Sequence, residues 1–155
     1  LTAWTLRPYQ SSSTFQLLRR EPVCVFHVTD DVLPVVRSAL GLPHELQLEP
    51  HADSGWIIPA ACHWYRLQVT EWDVSAERSE AKAVVLDHGQ LRPFWGWNRA
   101  KHAVLEATIL ATRLRFVERS QVEADIARLA PAVEKTAGPR ERQAWELVQQ
   151  YVAGN

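Results

Sequence analysis

The chain is 155 residues long and 46% hydrophobic, with 17 Lys and Arg against 18 Asp and Glu and a formal net charge of −1. That length suits one domain, or one with a small appendage, and excludes two domains of ordinary size. The cations are scattered, so no broad basic face for nucleic acid is available, and no run of about 18 uncharged apolar residues offers a membrane span.

Methionine is absent and the first residues, LTAWTLRPY, already read as a strand, so residues are expected before Leu1. Cys24 and Cys62 each lie in a strand-like run, which fits reduced thiols and a cytoplasmic protein better than a disulfide framework. Seven tryptophans is high for this length and suggests aromatic surface for an interface or a flat ligand.

Leu1 to Tyr9 alternates as a half-buried strand that Pro8 ends. The polar turn Gln10 to Thr14 leads into the helix-like FQLLRR, with Thr14 as the expected N-cap. VCVFHV, Val23 to Val28, is β-branched and aromatic and reads as a central strand. Thr29, Asp30 and Asp31 then cap a short helix, VLPVVRSAL, that carries Pro34 in its first turn and stops at Gly41.

Leu42 to Gly55 reads as an irregular loop. It holds His44, Glu45, Glu49, His51 and Asp53, which are metal-ligand types without ligand spacing, so no metal is expected. Trp56 to Trp72 and Ala81 to His88 are strand candidates joined by the polar turn VSAERSE and therefore paired antiparallel. His63 falls on the mostly apolar face of the first and reads as a hydrogen-bonded core histidine.

The stretch FWGWNRAKHAVLEATILATRLRF organises the second half. Asn98 stands at a cap position, and Ala100, Ala103, Val104, Ala107, Leu110, Ala111 and Leu114 recur at helical spacing, so a long central helix is predicted from Asn98 to Leu114. Its first turn carries Arg99, Lys101 and His102, where the helix dipole favours acids. Such a start fits an anion, although solvated cations with a His102–Glu106 pair would also account for it. Ser120 and Glu123 form a capping-box signature for a helix running to Pro131, and Gly138 and Pro139 open a last helix with Ala144, Trp145, Val148, Tyr151 and Val152 on its apolar face.

The order of strand, helix, strand, helix, two paired strands and then helices predicts an α+β fold with an antiparallel barrel. A Rossmann sheet is excluded by the lack of a Gly-rich turn after a strand. The division expected is a barrel at 1–117 followed by a helical extension at 118–155. RPYQSSST brings an arginine, hydroxyls and helix N–H groups to one small volume, a donor set that suits phosphate, while a serine-rich turn with an ordinary cap is the plainer alternative. No nucleophile and base are marked by spacing, so in an enzyme the cofactor would carry the reaction.

RPYQSSSTFQLL, VFHVTDDVL, ACHWYRLQV and FWGWNRAKHAVLEATILATRL come in the order and approximate spacing of an archaeal and bacterial family with an FMN-binding split barrel, which the chain resembles from about Thr5 to Phe116. The family is similar to flavin reductases and pyridoxamine-phosphate-oxidase-type barrels. The resemblance implies an FMN-binding protein, an oxidoreductase by kinship, that forms a homodimer with FMN at the subunit interface and carries a helical C-terminal extension. It maps the phosphate turn to Arg7, Ser12, Ser13 and Thr14 and the start of the long helix to Asn98 and Arg99, and Trp95 is counted with the cofactor set. An incomplete barrel with exposed strand edges and many tryptophans further predicts a dimer interface that includes Trp95, Trp97 and part of the central helix, with ordinary core aromatics as the alternative for the two tryptophans. Two departures stand out: Leu17 occupies a position often asparagine in the related flavin reductases, and the family's opening strands have no counterpart before Leu1. A barrel without flavin that serves as an interaction protein is the alternative, and a metal hydrolase built on His44, His51 and Asp53 ranks below both.

Overall fold

A computed structural model of the chain describes residues 3–51, 55–96 and 98–154. Its elements run β1 (Ala3–Leu6), α1 (Ser13–Arg20), β2 (Val23–Val28), α2 (Val32–Ala39), β3 (Glu49–His51), β4 (Gly55–Ile57), β5 (His63–Asp73), β6 (Glu80–Gln90), α3 (Arg99–Ala111), α4 (Arg119–Thr136) and α5 (Pro139–Gly154). They form two compact units, Leu1–Val28 with Gln47–Pro93 and Thr29–Leu46 with Phe94–Asn155. The boundary expected after residue 117 falls inside the second unit, because α3 packs on α2, α4 and α5. Among the described residues no helix is long and apolar enough to cross a membrane.

In the first unit four antiparallel strands lie in the order β1-β6-β5-β2, beside a β3-β4 hairpin. β2 therefore ends the sheet and is not central. Its apolar composition has another cause: β4 lies against Val25 and His27 on one side, while Cys24 and Phe26 belong to the opposite side. The single strand expected from Trp56 to Trp72 is broken as well. A turn closed by the Ala61 N–H on the Ile58 carbonyl, at 3.0 Å, sends the chain back, so Trp56 pairs with Pro50 and the long strand starts only at His63.

Two register irregularities between β5 and β6, at Arg66/Leu67 and at Val69/Glu71, bend the sheet, as bulges do. The curl is strong enough for Trp4 of β1 to meet Phe26 of β2, with ring centroids 4.9 Å apart, although two strands separate them in the sheet order. Small residues beneath, Ala81 and Ala83, leave room for the indole, and Tyr65 completes the cluster at 5.1 Å. Helix α1 closes the other end of this concave face with Leu18 and with Phe15, whose ring stands edge-on to Trp72. The opposite face of β5 is covered too, since Trp64 is 3% exposed and the ring of His51 lies 4.9 Å from it. His63 opens β5 half-buried, opposite Val28 and Gln90.

In the second unit the predicted stripe of α3 is buried at Ala100, Ala103, Val104, Ala107 and Ala111. The helix is shorter than expected. After Thr112 the Arg113 and Leu114 N–H groups reach only three residues back, to Leu110 and Ala111, and Leu114 lies beyond the helix. Ser120 does not cap α4: the N-cap is Glu118, without a side-chain bond, and Glu123 instead meets Arg119 at 2.8 Å. Nor does Pro131 stop that helix, which runs on to Thr136. Burying Val133 in the helical core offsets the hydrogen bond that proline cannot donate. Helix α5 follows the sequence reading, and the Glu141 carboxylate reaches back to the Gly138 N–H at 2.9 Å.

Gly89 of β6 is the tightest point of the sheet, because a Cβ there would lie 2.6 Å from Trp64 Nε1. Gly89→Ala is expected to force the indole off its site and destabilise the protein by roughly 1–3 kcal/mol, read as a lower denaturant midpoint. An unchanged midpoint would mean that Trp64 moves freely.

Candidate functional site

The turn after β1 is fixed by the segment that precedes β6. The Pro8 carbonyl accepts both the N–H of Ser79, at 3.1 Å, and its hydroxyl, at 2.8 Å. Ser79 is buried, so these bonds satisfy a polar group that would otherwise be costly. Tyr9 makes a single antiparallel bridge to Arg78. Gln10 donates its backbone N–H to the Glu77 carbonyl at 3.0 Å and its side-chain amide to the carbonyls of Val74 and Ala76, at 3.0 and 2.7 Å.

The helix start follows from that anchoring. The Ser12 hydroxyl donates to the Tyr9 carbonyl at 2.7 Å and accepts the Phe15 N–H at 3.2 Å, which makes Ser12 the N-cap. Thr14, expected in that role, is instead the second residue of α1, because the tie to Tyr9 starts the helix two residues earlier. The N–H groups of Ser13 and Thr14 belong to the first turn, where no carbonyl of the helix can serve them, and both side chains are exposed. This gives two N–H groups and two hydroxyls at the positive end of a helix dipole, a set that accepts an anion.

Arg7 is present but shared, its Nη2 lying 2.8 Å from Glu80 Oε1 with both side chains about half exposed. A second cation, Arg78, stands at the same turn. Its Nε donates to the Arg7 carbonyl at 3.2 Å, and its guanidinium lies over the Tyr9 ring, 5.5 Å from the centroid. Sequence reading missed it inside the polar turn VSAERSE, since only the Tyr9–Arg78 bridge brings it here. Leu17 is 63% exposed on α1.

Trp95, Asn98 and Arg99 belong to the second unit. Trp95 is 83% exposed, its N–H bound to Asp30 Oδ2 at 2.9 Å, and the next residue, Gly96, has φ +84°, a conformation that suits glycine. Asn98 caps α3 as expected, accepting the Lys101 N–H at 2.7 Å. The Ala100 N–H goes to Thr136 Oγ1 at 3.0 Å, so two first-turn donors of this helix are already served within the protein. Arg99 is exposed, and Trp97 lies outside the described residues.

Asp53 of the weighed metal set also lies outside them, and among the described residues no group of three or more His, Cys, Asp or Glu side chains could hold a metal ion. Cys24 is a free thiol whose pKa is raised by burial, and Cys62 is free and buried. Ser12→Ala should lower stability by about 1 kcal/mol through loss of the cap, whereas Ser13→Ala should change it by no more than about 0.5 kcal/mol. Denaturant unfolding of both variants measures this; equal losses would show that the cap is not Ser12.

The family described as protein of unknown function DUF447 matches over its N-terminal domain at residues 2–92 and again at residues 98–150. No curated protein matches the sequence. A crystal structure of an FMN-bound protein from Methanosarcina mazei, itself assigned to DUF447, superposes with a TM-score of 0.80 at 22% identity, covering 95% of this chain and 80% of that one. The flavin reductase PheA2 in its native state gives a TM-score of 0.50 at 12% identity, covering 57% of this chain and 60% of that one. Both likenesses are of fold. They place the curled antiparallel sheet among the split barrels, as the resemblance implied. Matched by its family over both parts, the chain belongs to DUF447.

Proposed function

We propose that this chain is an FMN-binding flavoprotein that holds the FMN phosphate at the start of α1. The observation that carries the reading is the anchored turn, which presents the N–H groups and hydroxyls of Ser13 and Thr14 beside Arg7 and Arg78. The M. mazei family member, described as FMN-bound, supports the choice of ligand. The donor set fits a phosphate: it is rich in hydrogen-bond donors, carries two guanidinium groups, and lies at the surface, where a dianion need not be fully desolvated.

Each group has a separate part. The N–H groups and hydroxyls orient the phosphate. Arg78, braced by Arg7 and Tyr9, supplies charge, and Arg7 supplies more when it releases Glu80. Bound flavin would supply hydride and electron transfer, which makes a flavin-dependent oxidoreductase, of the flavin-reductase kind, the activity we assign. Trp95, Asn98 and Arg99 form a second cofactor-facing set in this reading. The working form is a homodimer, supported by the exposure of Trp95 and Phe116 and by the two sheet edges, β1 and β2. Sedimentation at micromolar concentration should give a dimer, and a monomer would contradict that part of the reading.

The Arg7–Glu80 pair favours one competing view, a barrel without flavin in which the arginine merely completes an ion pair. Titration with FMN and riboflavin separates the two. FMN should bind much more tightly than riboflavin to the parent. Ser13→Ala should weaken FMN by about 1 kcal/mol, and Arg78→Ala by roughly 1.5–3 kcal/mol, as a lost charge-assisted bond. Glu80→Gln, which frees Arg7, should tighten FMN and leave riboflavin unchanged. Equal affinity of the parent for both flavins would rule out the turn as a phosphate site, and binding of neither would favour the barrel without flavin.

A further inference from the structure

His27 of β2 makes a contact that no reading of the flavin site uses. Its Nε2 accepts the backbone N–H of Ile58 at 3.1 Å, across 31 residues of sequence. Ile58 directly follows β4, whose Ile57 is buried, and the hairpin to which β4 belongs brings His51 against the buried indole of Trp64. In the sheet, His27 stands opposite that same Trp64. One side-chain nitrogen thus ties the end of the hairpin to the strand beside the residue the hairpin covers.

Only a neutral imidazole can do this. Nε2 accepts through its lone pair, and a protonated ring has two N–H donors and no acceptor. Protonation would set one N–H against another and leave that of Ile58 unpaired. We propose that His27 is a pH-sensitive latch, which holds the β3-β4 hairpin over Trp64 when neutral and releases it when protonated.

The charged and titratable groups that share the face of His27 are Glu49 and His51 on β3, Arg66 on β5, and Asp87, which stands opposite Arg66 on β6; Cys24 of β2, His63 and Tyr65 of β5 and His88 of β6 alternate to the other face, Glu71, Asp73, Glu80 and Lys82 lie at the far ends of β5 and β6, and β4 carries none. Burial pushes the His27 imidazole below its ordinary value. A histidine whose pKa is lowered on folding contributes stability above its unfolded value and loses it as pH falls through the folded one. The latch is therefore closed at neutral pH and opens below about pH 6.5.

The test is amide exchange of Ile58 in the full chain, followed by NMR between about pH 8 and about pH 5 together with the imidazole signals of His27. Corrected for the intrinsic rate, protection of Ile58 should fall by about tenfold per pH unit between about pH 6.5 and the His27 midpoint and level off below it, while the amide of Leu67 in the same sheet stays protected. His27→Gln, whose side-chain oxygen can still accept, should abolish the dependence, and His51→Gln should keep it. The latch is overturned if Ile58 protection is constant through the His27 titration, if the dependence survives His27→Gln or vanishes in His51→Gln, or if Leu67 is lost in parallel.

Discussion

The Pro8 carbonyl, which accepts from both the N–H and the hydroxyl of buried Ser79, fixes the path on which the candidate site depends. A carbonyl leaving a strand next to a proline has no ladder partner waiting, and here two donors from one residue meet it. From that point Tyr9 is aligned with Arg78, Gln10 is tied down at three carbonyls, and Ser12 can hang its hydroxyl from Tyr9. The start of α1 is a consequence of these constraints, and so is the place where its unpaired N–H groups emerge.

The same turn decides how charge is distributed. Arg7 and Arg78 come from segments far apart in sequence, just after β1 and just before β6, and Glu80 keeps one of them from being a free cation. In the proposed reading the donors for an anion and a carboxylate that competes for one of them stand together, an arrangement that would temper affinity for small anions and favour a ligand that adds contacts of its own. At α3 the cationic first turn has a different setting. Asn98 and Thr136 serve two of its N–H groups, so what it offers an anion comes mainly from its side chains.

How much of this was legible depended on where the deciding contact lay. β6, α2 and α5 were readable because local pattern and caps agreed, as with Asp31 capping α2 through the Leu33 N–H at 3.1 Å. Asn98 was readable for the same reason. Thr14 was mistaken for Ser12 because both are good capping types, and the choice between them rests on a hydroxyl bonded to the Tyr9 carbonyl. The break at Ile58 to Cys62 was hidden because apolar residues on both faces of β5 erase the alternation that marks a strand. Pro131 looked like a stop because its penalty is local, while the compensation through Val133 is tertiary. Arg78 could not be found at all without the pairing that puts it beside Tyr9.

All of this turns on whether the chain binds FMN. Native mass spectrometry of the purified protein, after incubation with excess FMN and removal of the free ligand, tests it most directly. The account predicts a population heavier than the bare protein by one FMN per chain, with the released ligand identified as FMN after denaturation. A spectrum holding only bare protein would contradict it, whatever the oligomeric state observed.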